Sequence, residues 1–207
     1  MSDPLSADVV VVGMGPGGED VAGRLAEAGL KVVGLERQLL GGQCPYWGCV
    51  PSKMMIRAAN LLAEARRIPG MAGDVTVRPG WGPVAQRIRD EATDDWDDRV
   101  AVERFEGKGG RFVRDAGRIV ATGPSGRGSG TRVRVAVGDR IIEARRAIVV
   151  ATGSHAVIPA IPGLRRMPYW TNREAVEAKE LPSSLIVLGG AQWVWSWPRS
   201  SPALVST

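Results

Sequence analysis

Histidine and cysteine are scarce in this chain, which contains one His and two Cys among 207 residues. Two thiols supply only half of a zinc shell, and the single histidine, His155, belongs to another segment, so no metal site is predicted. Phe and Tyr number two each, and no basic stripe interleaved with aromatic residues occurs. The net charge of +5 is therefore interpreted as solvated surface, and no nucleic-acid partner is expected.

Long apolar runs are also absent. No segment approaches the ~20 apolar residues of a membrane span, and the N-terminus lacks the basic region and apolar stretch of a signal peptide. These absences predict a cytoplasmic protein with no membrane partner. Structural disulfides are rare in the cytoplasm, so Cys44 and Cys49 must be explained by chemistry or by chance.

The first 36 residues predict a strand, a tight turn, a helix and a second strand. Residues 9–12 are four consecutive valines, residues 19–28 carry apolar positions at helical spacing before Gly29, and residues 31–36 form another apolar run. A strand-helix-strand unit of this kind requires a parallel sheet with a right-handed crossover.

Later patterns predict the remaining elements. They favour helices from near Pro51 to before Pro69 and from Trp81 to about Glu106. Period-two alternation indicates an antiparallel meander of residues 112–113, 119–120, 133–137 and 141–142, followed by separate buried strands at 147–150 and 185–188. The predicted fold class is α/β, a parallel sheet with helices plus an antiparallel β-meander.

A glycine pattern, Gly-x-Gly-x-x-Gly, lies between the first strand and the first helix. Gly13 permits the sharp turn, Gly15 lets the backbone approach a pyrophosphate, and Gly18 lets helix and strand pack closely. Glu36, 18 residues further on, is placed to accept hydrogen bonds from a ribose hydroxyl. The alternative is a glycine-rich turn without a ligand, and the motif alone does not distinguish FAD from NAD.

Cys44 and Cys49 lie five residues apart in Gly-Gly-Gln-Cys-Pro-Tyr-Trp-Gly-Cys-Val-Pro-Ser-Lys. On an ideal helix their Cα atoms would be roughly 8–9 Å apart, beyond the about 4.4–6.8 Å of a disulfide. A bridge therefore requires a distorted segment, for which Pro45 and Gly48 are suited, and it should be comparatively reducible. A helix start near Pro51 favours a thiolate at Cys49. The alternative is a pair of buried structural cysteines.

This segment, at this distance from the glycine turn, resembles the signature of class I pyridine nucleotide-disulfide oxidoreductases, the dihydrolipoamide dehydrogenase and mercuric reductase-like family. The resemblance implies FAD as cofactor and NAD(P)H as electron donor, with electrons passing through FAD to a Cys44–Cys49 disulfide and on to a disulfide or other small-molecule acceptor. It makes Cys49 the thiol beside the flavin and Cys44 the interchange thiol.

The resemblance also assigns further cofactor-binding positions. Gly42 belongs to the cysteine signature, and Lys53 would lie near the N5 edge of the flavin. Residues 148–154 are similar to the second FAD element, and the segment from Gly110 to Phe112 resembles the element whose backbone meets the adenine. The positions implied in these last two elements are Gly110, Ala151, Thr152 and Gly153.

The family also implies a domain plan. Residues 1–160 would be the Rossmann-like FAD-binding domain with the redox disulfide, incomplete at its C-terminal end, and residues 161–184 a connecting segment. Residues 185–207 would begin a second Rossmann-like, NAD(P)-binding domain and then continue as an aberrant tail. The full-length family member would be a homodimer, whereas this chain is expected to be an inactive, poorly soluble fragment.

The tail after Gly190 departs from the family pattern, since three tryptophans fall within residues 193–197. The family would have a second Gly-x-Gly-x-x-Gly turn here, at the start of its NAD(P)-binding domain. When codons that can encode this tail are read from the third base of each codon, they permit Gly-Ala-Val-Gly-Val-Glu-Leu-Ala, which fits that turn. The hypothesis is that the coding sequence has lost one base, which would shift the reading frame after Gly190. The alternative is a genuine Trp-rich tail. Two other functions stay open, namely a non-catalytic nucleotide-binding remnant and a mercuric reductase-like metal-ion reductase.

Overall fold

The computed structural model describes residues 5–120 and 133–189, which form two compact units. The first unit lies within Met1–Gly42 and Asp97–His155, and the second lies within Gln43–Trp96 and Ala156–Thr207. Across the described residues, no helix has the length and apolar character needed to cross a membrane. The proposed frameshift and the Trp-rich tail fall outside the described residues.

The first unit is built on one sheet, in which the described residues form six strands. They are Leu5–Val12 (β1), Val32–Leu35 (β2), Arg111–Val113 (β3), Gly117–Val120 (β4), Val133–Val137 (β5) and Arg140–Val150 (β6). The strand order is β3-β2-β1-β6-β5-β4. The neighbouring pairs β3-β2, β2-β1 and β1-β6 are parallel. The pairs β6-β5 and β5-β4 are antiparallel. The α/β class with a parallel sheet and a meander is thus confirmed.

Helices occupy both units. They are Pro16–Glu27 (α1), Gln43–Tyr46 (α2), Cys49–Ala65 (α3), Gly82–Arg87 (α4), Arg99–Gly107 (α5) and Asn172–Glu177 (α6), with a π-helical turn at Ile88–Ala92 and a 3-10 turn at Leu164–Arg166. α1 ends where predicted, because Gly29 takes a φ of 84°, which few other residues adopt.

β1 forms the centre of the core because both of its faces are covered. Val10 and Val12 pack with Val135 of the meander, while Val9 and Val11 pack with a second cluster that includes residues of α1 and α5. All four valines are buried. The uninterrupted valine run therefore reflects burial on two faces, which is typical of a central parallel strand.

The sheet must curl strongly, because β3 and β4 are at opposite ends of the strand order yet are joined by three residues. Four Cα–Cα steps reach about 15 Å, whereas five strand spacings in a flat sheet measure about 24 Å. Consistent with this curl, an ideal Cβ at Gly117 of β4 would lie 2.7 Å from a Leu35 methyl carbon and 3.3 Å from one of Val12.

The prediction of one long helix from Trp81 to about Glu106 was wrong. α4 passes into the π-helical turn, and Asp94, Asp95 and Trp96 then take positive φ values of 49°, 53° and 58° before α5 begins at Arg99. Aspartate side chains compete with helical backbone hydrogen bonds, as Asp97 does by accepting from the amide of Arg99 at 2.8 Å. The apolar spacing did not reveal this competition.

Three strand predictions need correction. Residues 112–113 belong to the parallel sheet, because β3 pairs with β2 and not with the meander. Residues 141–142 and 147–150 are one strand, since β6 continues through an irregularity where Arg145 and Arg146 pair with Asp8 at 3.0 and 3.4 Å. Val150 is also 61% exposed, so the last part of β6 is not fully buried.

Residues 185–188 do not form the predicted strand, and all four side chains are exposed. A strand needs neighbouring strands to satisfy its backbone groups, and the described part of the second unit contains no strand with which it could pair. The start of a second Rossmann-like sheet is therefore not seen in the described residues.

Candidate functional site

The predicted nucleotide site is a tight turn between β1 and α1. Gly13 takes a φ of 94°, and an ideal Cβ there would lie 2.3 Å from the carbonyl oxygen of Ala151. An ideal Cβ at Gly18 would lie 2.0 Å from the Gly13 carbonyl oxygen. Both positions therefore require glycine, one for the sharp turn and both for close packing.

Gly15 differs from these two glycines because it faces open space. It is the N-cap of α1, and no atom lies within 4 Å of its ideal Cβ. Gly42 closes one side of this turn, with a φ of 65° and an ideal Cβ 2.8 Å from the Gly15 Cα. A free helix N-terminus framed by backbone without side chains fits a phosphate anion.

Glu36 lies beside the same turn with its carboxylate half-buried. It accepts hydrogen bonds from the backbone amide of Met14 at 3.1 Å and from that of Gln38 at 2.9 Å. Each oxygen retains a second lone pair, so the carboxylate is held in place and can still accept from a ribose hydroxyl.

The end of β6 also reaches the glycine turn. The Ala151 amide donates to the Val12 carbonyl at 2.8 Å, and the Thr152 Cα would lie 2.9 Å from an ideal Cβ at Gly13. Gly153 follows with a φ of 68°. Gly110 has a packing role, because an ideal Cβ there would lie 2.2 Å from the Phe105 ring.

Asp98 supports the loop between Glu36 and Gly42, a role that sequence reasoning missed. Its carboxylate is buried, accepts from the Leu40 amide at 2.6 Å and pairs with Arg114 at 2.6 Å. Arg114 also donates to the Gln38 carbonyl. The loop that carries Gly42 to the glycine turn is thus tied to the loop before α5 and to the end of β3. Elsewhere in this unit, His155 hydrogen-bonds Arg37 at 3.1 Å.

The two cysteines lie in the second unit, on either side of a break between α2 and α3. Cys44 is in α2, and Cys49 is the first residue of α3. Between them the Trp47 amide donates to the Gln43 carbonyl at 2.9 Å. Gly48 has φ −127° and ψ −108°, and an ideal Cβ there would lie 2.8 Å from the Gln43 oxygen. We call residues 43–49 the cysteine turn.

Cys44 and Cys49 are both free thiols, and their side chains lie within hydrogen-bonding reach of each other. The hydrogen bond to the Cys49 side chain, followed by partial burial, raises the pKa of the Cys44 thiol, while the charge of Lys53 opposes this rise. Lys53 itself is exposed on the first turns of α3. Cys49 is the first residue of α3, two residues before Pro51, so its side chain lies at the N-terminal end of this helix.

Residues from far along the chain hold the cysteine turn, and sequence reasoning missed them. Asn172 donates to the Trp47 carbonyl at 2.9 Å, and Glu177 accepts from the Trp47 indole at 2.5 Å. The Arg173 guanidinium lies 4.0 Å from the centre of the Trp47 ring. The available signal was the capping box of Thr171 and Glu174, which marks a helix start at α6.

Comparison with known proteins identifies the class. Residues 7–192 match the family model described as pyridine nucleotide-disulphide oxidoreductase. The chain belongs to this family of oxidoreductases.

Individual relatives are similar over most of the chain. It is 36% identical over 198 residues to a dihydrolipoyl dehydrogenase of Chlorobaculum tepidum, with 91% of the chain and 39% of the relative covered. It is 30% identical over 201 residues to a mercuric reductase of Acidithiobacillus ferrooxidans, with 92% and 34% covered. The chain thus spans between a third and two-fifths of the length of these relatives.

A solved structure shares the fold. The HOCl-induced flavoprotein disulfide reductase RclA from Escherichia coli superimposes with a TM-score of 0.74 at 21% identity, covering 96% of the chain and 40% of that protein.

Proposed function

We propose that this chain is the FAD- and disulfide-bearing part of an oxidoreductase that passes electrons from NAD(P)H through FAD to a Cys44–Cys49 disulfide and on to an acceptor. The observation that carries the proposal is the cysteine turn, where the break at Gly48 brings two thiols five positions apart within hydrogen-bonding reach. Bound FAD would supply two-electron reduction of the bridge.

The glycine turn supports the same function. The open space at Gly15 and the close approach of Gly42 fit a pyrophosphate. The fixed carboxylate of Glu36 fits a ribose hydroxyl. Met14 is buried against this unit's core, so the turn is pre-formed by packing. The residues present therefore suit a dinucleotide cofactor.

Electron counting tests the proposal. The purified chain is loaded with FAD and titrated anaerobically with dithionite, and it should accept about four electrons, two for the flavin and two for the bridge. Cys49→Ser should bind FAD equally well and accept about two. A folded chain that binds no FAD would instead favour the non-catalytic remnant, and a chain that binds FAD but accepts only about two electrons has no redox bridge.

The proposed function has two versions, which differ in the final electron acceptor. A disulfide acceptor is favoured by the dihydrolipoyl dehydrogenase relative, and Hg(II) by the mercuric reductase relative. The reduced, FAD-loaded chain would be mixed with oxidised lipoamide or with a Hg(II)-thiol complex. Loss of protein thiols with release of dihydrolipoamide supports the first version, and release of elemental mercury supports the second.

A further inference from the structure

Formation of a bridge in the cysteine turn depends on the position of Trp47 and Gly48. A disulfide tolerates only a narrow range of Cα separations and torsion angles. Trp47 and Gly48 directly precede Cys49, and they form the break that brings Cys49 back to Cys44. A shift of the Trp47 backbone would therefore change the distance between the sulfurs.

Trp47 is held at both ends by α6. Asn172 fixes its backbone carbonyl, and Glu177 fixes the far end of its indole ring. Trp47 is 6% exposed whereas Glu177 is exposed, so water has only partial access to the hydrogen bond between them. The Gln43 carboxamide at the start of the turn accepts from Asn172 or, with the amide turned over, from Arg173. Both ends of the cysteine turn thus contact the same short helix.

α6 is itself fixed independently of the cysteines. Its first turn carries the capping box, and the Ala178 carbonyl just after it accepts from the Trp81 indole at 2.7 Å. A helix anchored at both ends restricts the positions that Trp47 can take while the thiols are free, so less conformational freedom is lost when the bridge closes. Such preorganisation raises the effective concentration of one thiol at the other.

We propose that Asn172 and Glu177 are positioning residues that hold the cysteine turn in its bridge-forming geometry and so favour the Cys44–Cys49 disulfide over the dithiol. This inference rests on the proposed function, because it assumes that the pair is redox-active. Bridge formation releases two protons and two electrons from the thiols, and oxidised dithiothreitol takes them up as its own S–S bond breaks.

The test measures the equilibrium constant for bridge formation. The 207-residue chain is equilibrated with mixtures of oxidised and reduced dithiothreitol, its thiols are trapped by alkylation, and the two forms are counted by mass spectrometry. Glu177→Leu and Asn172→Ala should each lower the constant about fivefold, a partial effect of losing one hydrogen bond. Glu177→Gln keeps the acceptor oxygen and should restore it to within about twofold of the original. Glu180→Leu changes a nearby exposed glutamate and should have no effect.

A double-mutant cycle distinguishes positioning from general destabilisation. Trp47→Phe removes the indole N–H, so Glu177→Leu should have no further effect on the constant in that background. Equal effects of Glu177→Leu with and without Trp47→Phe would overturn the inference. It would also be overturned if the variants melted earlier while the constant stayed within about twofold of the original.

The two proposals fail differently in this experiment. If the original chain forms no Cys44–Cys49 bridge at any dithiothreitol ratio, the redox-disulfide function falls and the inference falls with it. If the original chain forms the bridge and the variants match it, only the roles of Asn172 and Glu177 are refuted.

Discussion

Cys44 owes its chemistry to its immediate neighbours. The hydrogen bond to the Cys49 side chain is the largest influence that raises the pKa of Cys44. Cys49→Ala should therefore lower this pKa, whereas Lys53→Met should raise it further by removing the opposing charge. The measurement is the pH dependence of Cys44 alkylation by iodoacetamide, followed by mass spectrometry. An unchanged profile in Cys49→Ala would contradict the hydrogen-bonded thiol pair.

The glycines of the phosphate turn have separable roles. Gly15→Ala places its methyl group in open space, so unfolding free energy should change by less than about 0.5 kcal/mol. FAD affinity should nevertheless fall at least about tenfold, or ~1.4 kcal/mol, because the methyl group occupies the space of the phosphate. Fluorescence quenching of FAD and thermal melting measure the two effects.

Gly18→Ala should show the opposite balance. Its methyl group would meet the Gly13 carbonyl, and the expected loss of stability is about 3 kcal/mol or more. Gly107→Ala is the matched control, since no atom lies within 4 Å of its ideal Cβ and it ends a helix away from the turn. A stable Gly18→Ala variant would refute the close packing of α1 on the turn.

These residues also show which parts of the site the sequence could reveal. Gly13 and Gly18 were predictable because the surrounding backbone leaves no room for a side chain at either position. The glycine pattern that results lies within one short motif. Asp98 and Glu177 were not, because their partners are 58 and 130 positions away. An isolated acid carries no pattern that identifies a distant amide or indole.

At the scale of elements, α6 depends on its capping box. Partial burial of Glu174 acts to raise its pKa, but hydrogen bonds from the Thr171 hydroxyl and amide outweigh this, and the pKa is lowered. Because the folded-state pKa lies below the unfolded value, this stabilisation is present above the unfolded pKa. It is lost as the pH falls through the folded pKa.

Glu174→Gln tests this dependence. Glutamine keeps an acceptor oxygen but does not titrate, so the variant should lose less stability than the original chain between about pH 6 and about pH 3. The expected difference is about 0.5 kcal/mol, since the box is exposed to solvent. Denaturant unfolding at each pH measures it, and identical pH profiles would exclude the ionised cap.

Element prediction succeeded where burial alone decides the pattern. β1, α1 and β2 were recovered because apolar spacing and Gly29 act locally. The prediction of one helix from Trp81 to Glu106 was wrong because three residues with positive φ interrupt this segment. β3 was assigned to the wrong neighbour because alternation along a strand does not identify its partner.

At the scale of the whole molecule, exposed apolar surface predicts self-association. Ile186 and Leu188 are 86% and 57% exposed in a run of four apolar residues. Such a segment is prone to intermolecular strand pairing. Changing both residues to Glu should raise the soluble concentration severalfold without changing the melting temperature, as measured by light scattering and calorimetry. Val157→Glu is the control, since Val157 is exposed outside this run.

The long sequence separation between Trp47 and its partners has a consequence for biosynthesis. Asn172 and Glu177 are 125 and 130 residues downstream. At about 5–20 residues per second, the ribosome delivers α6 roughly 6–26 s after Trp47. Throughout that interval the nascent chain carries both cysteines without these two contacts to Trp47, so the proposed bridge should form less readily until α6 has been synthesised.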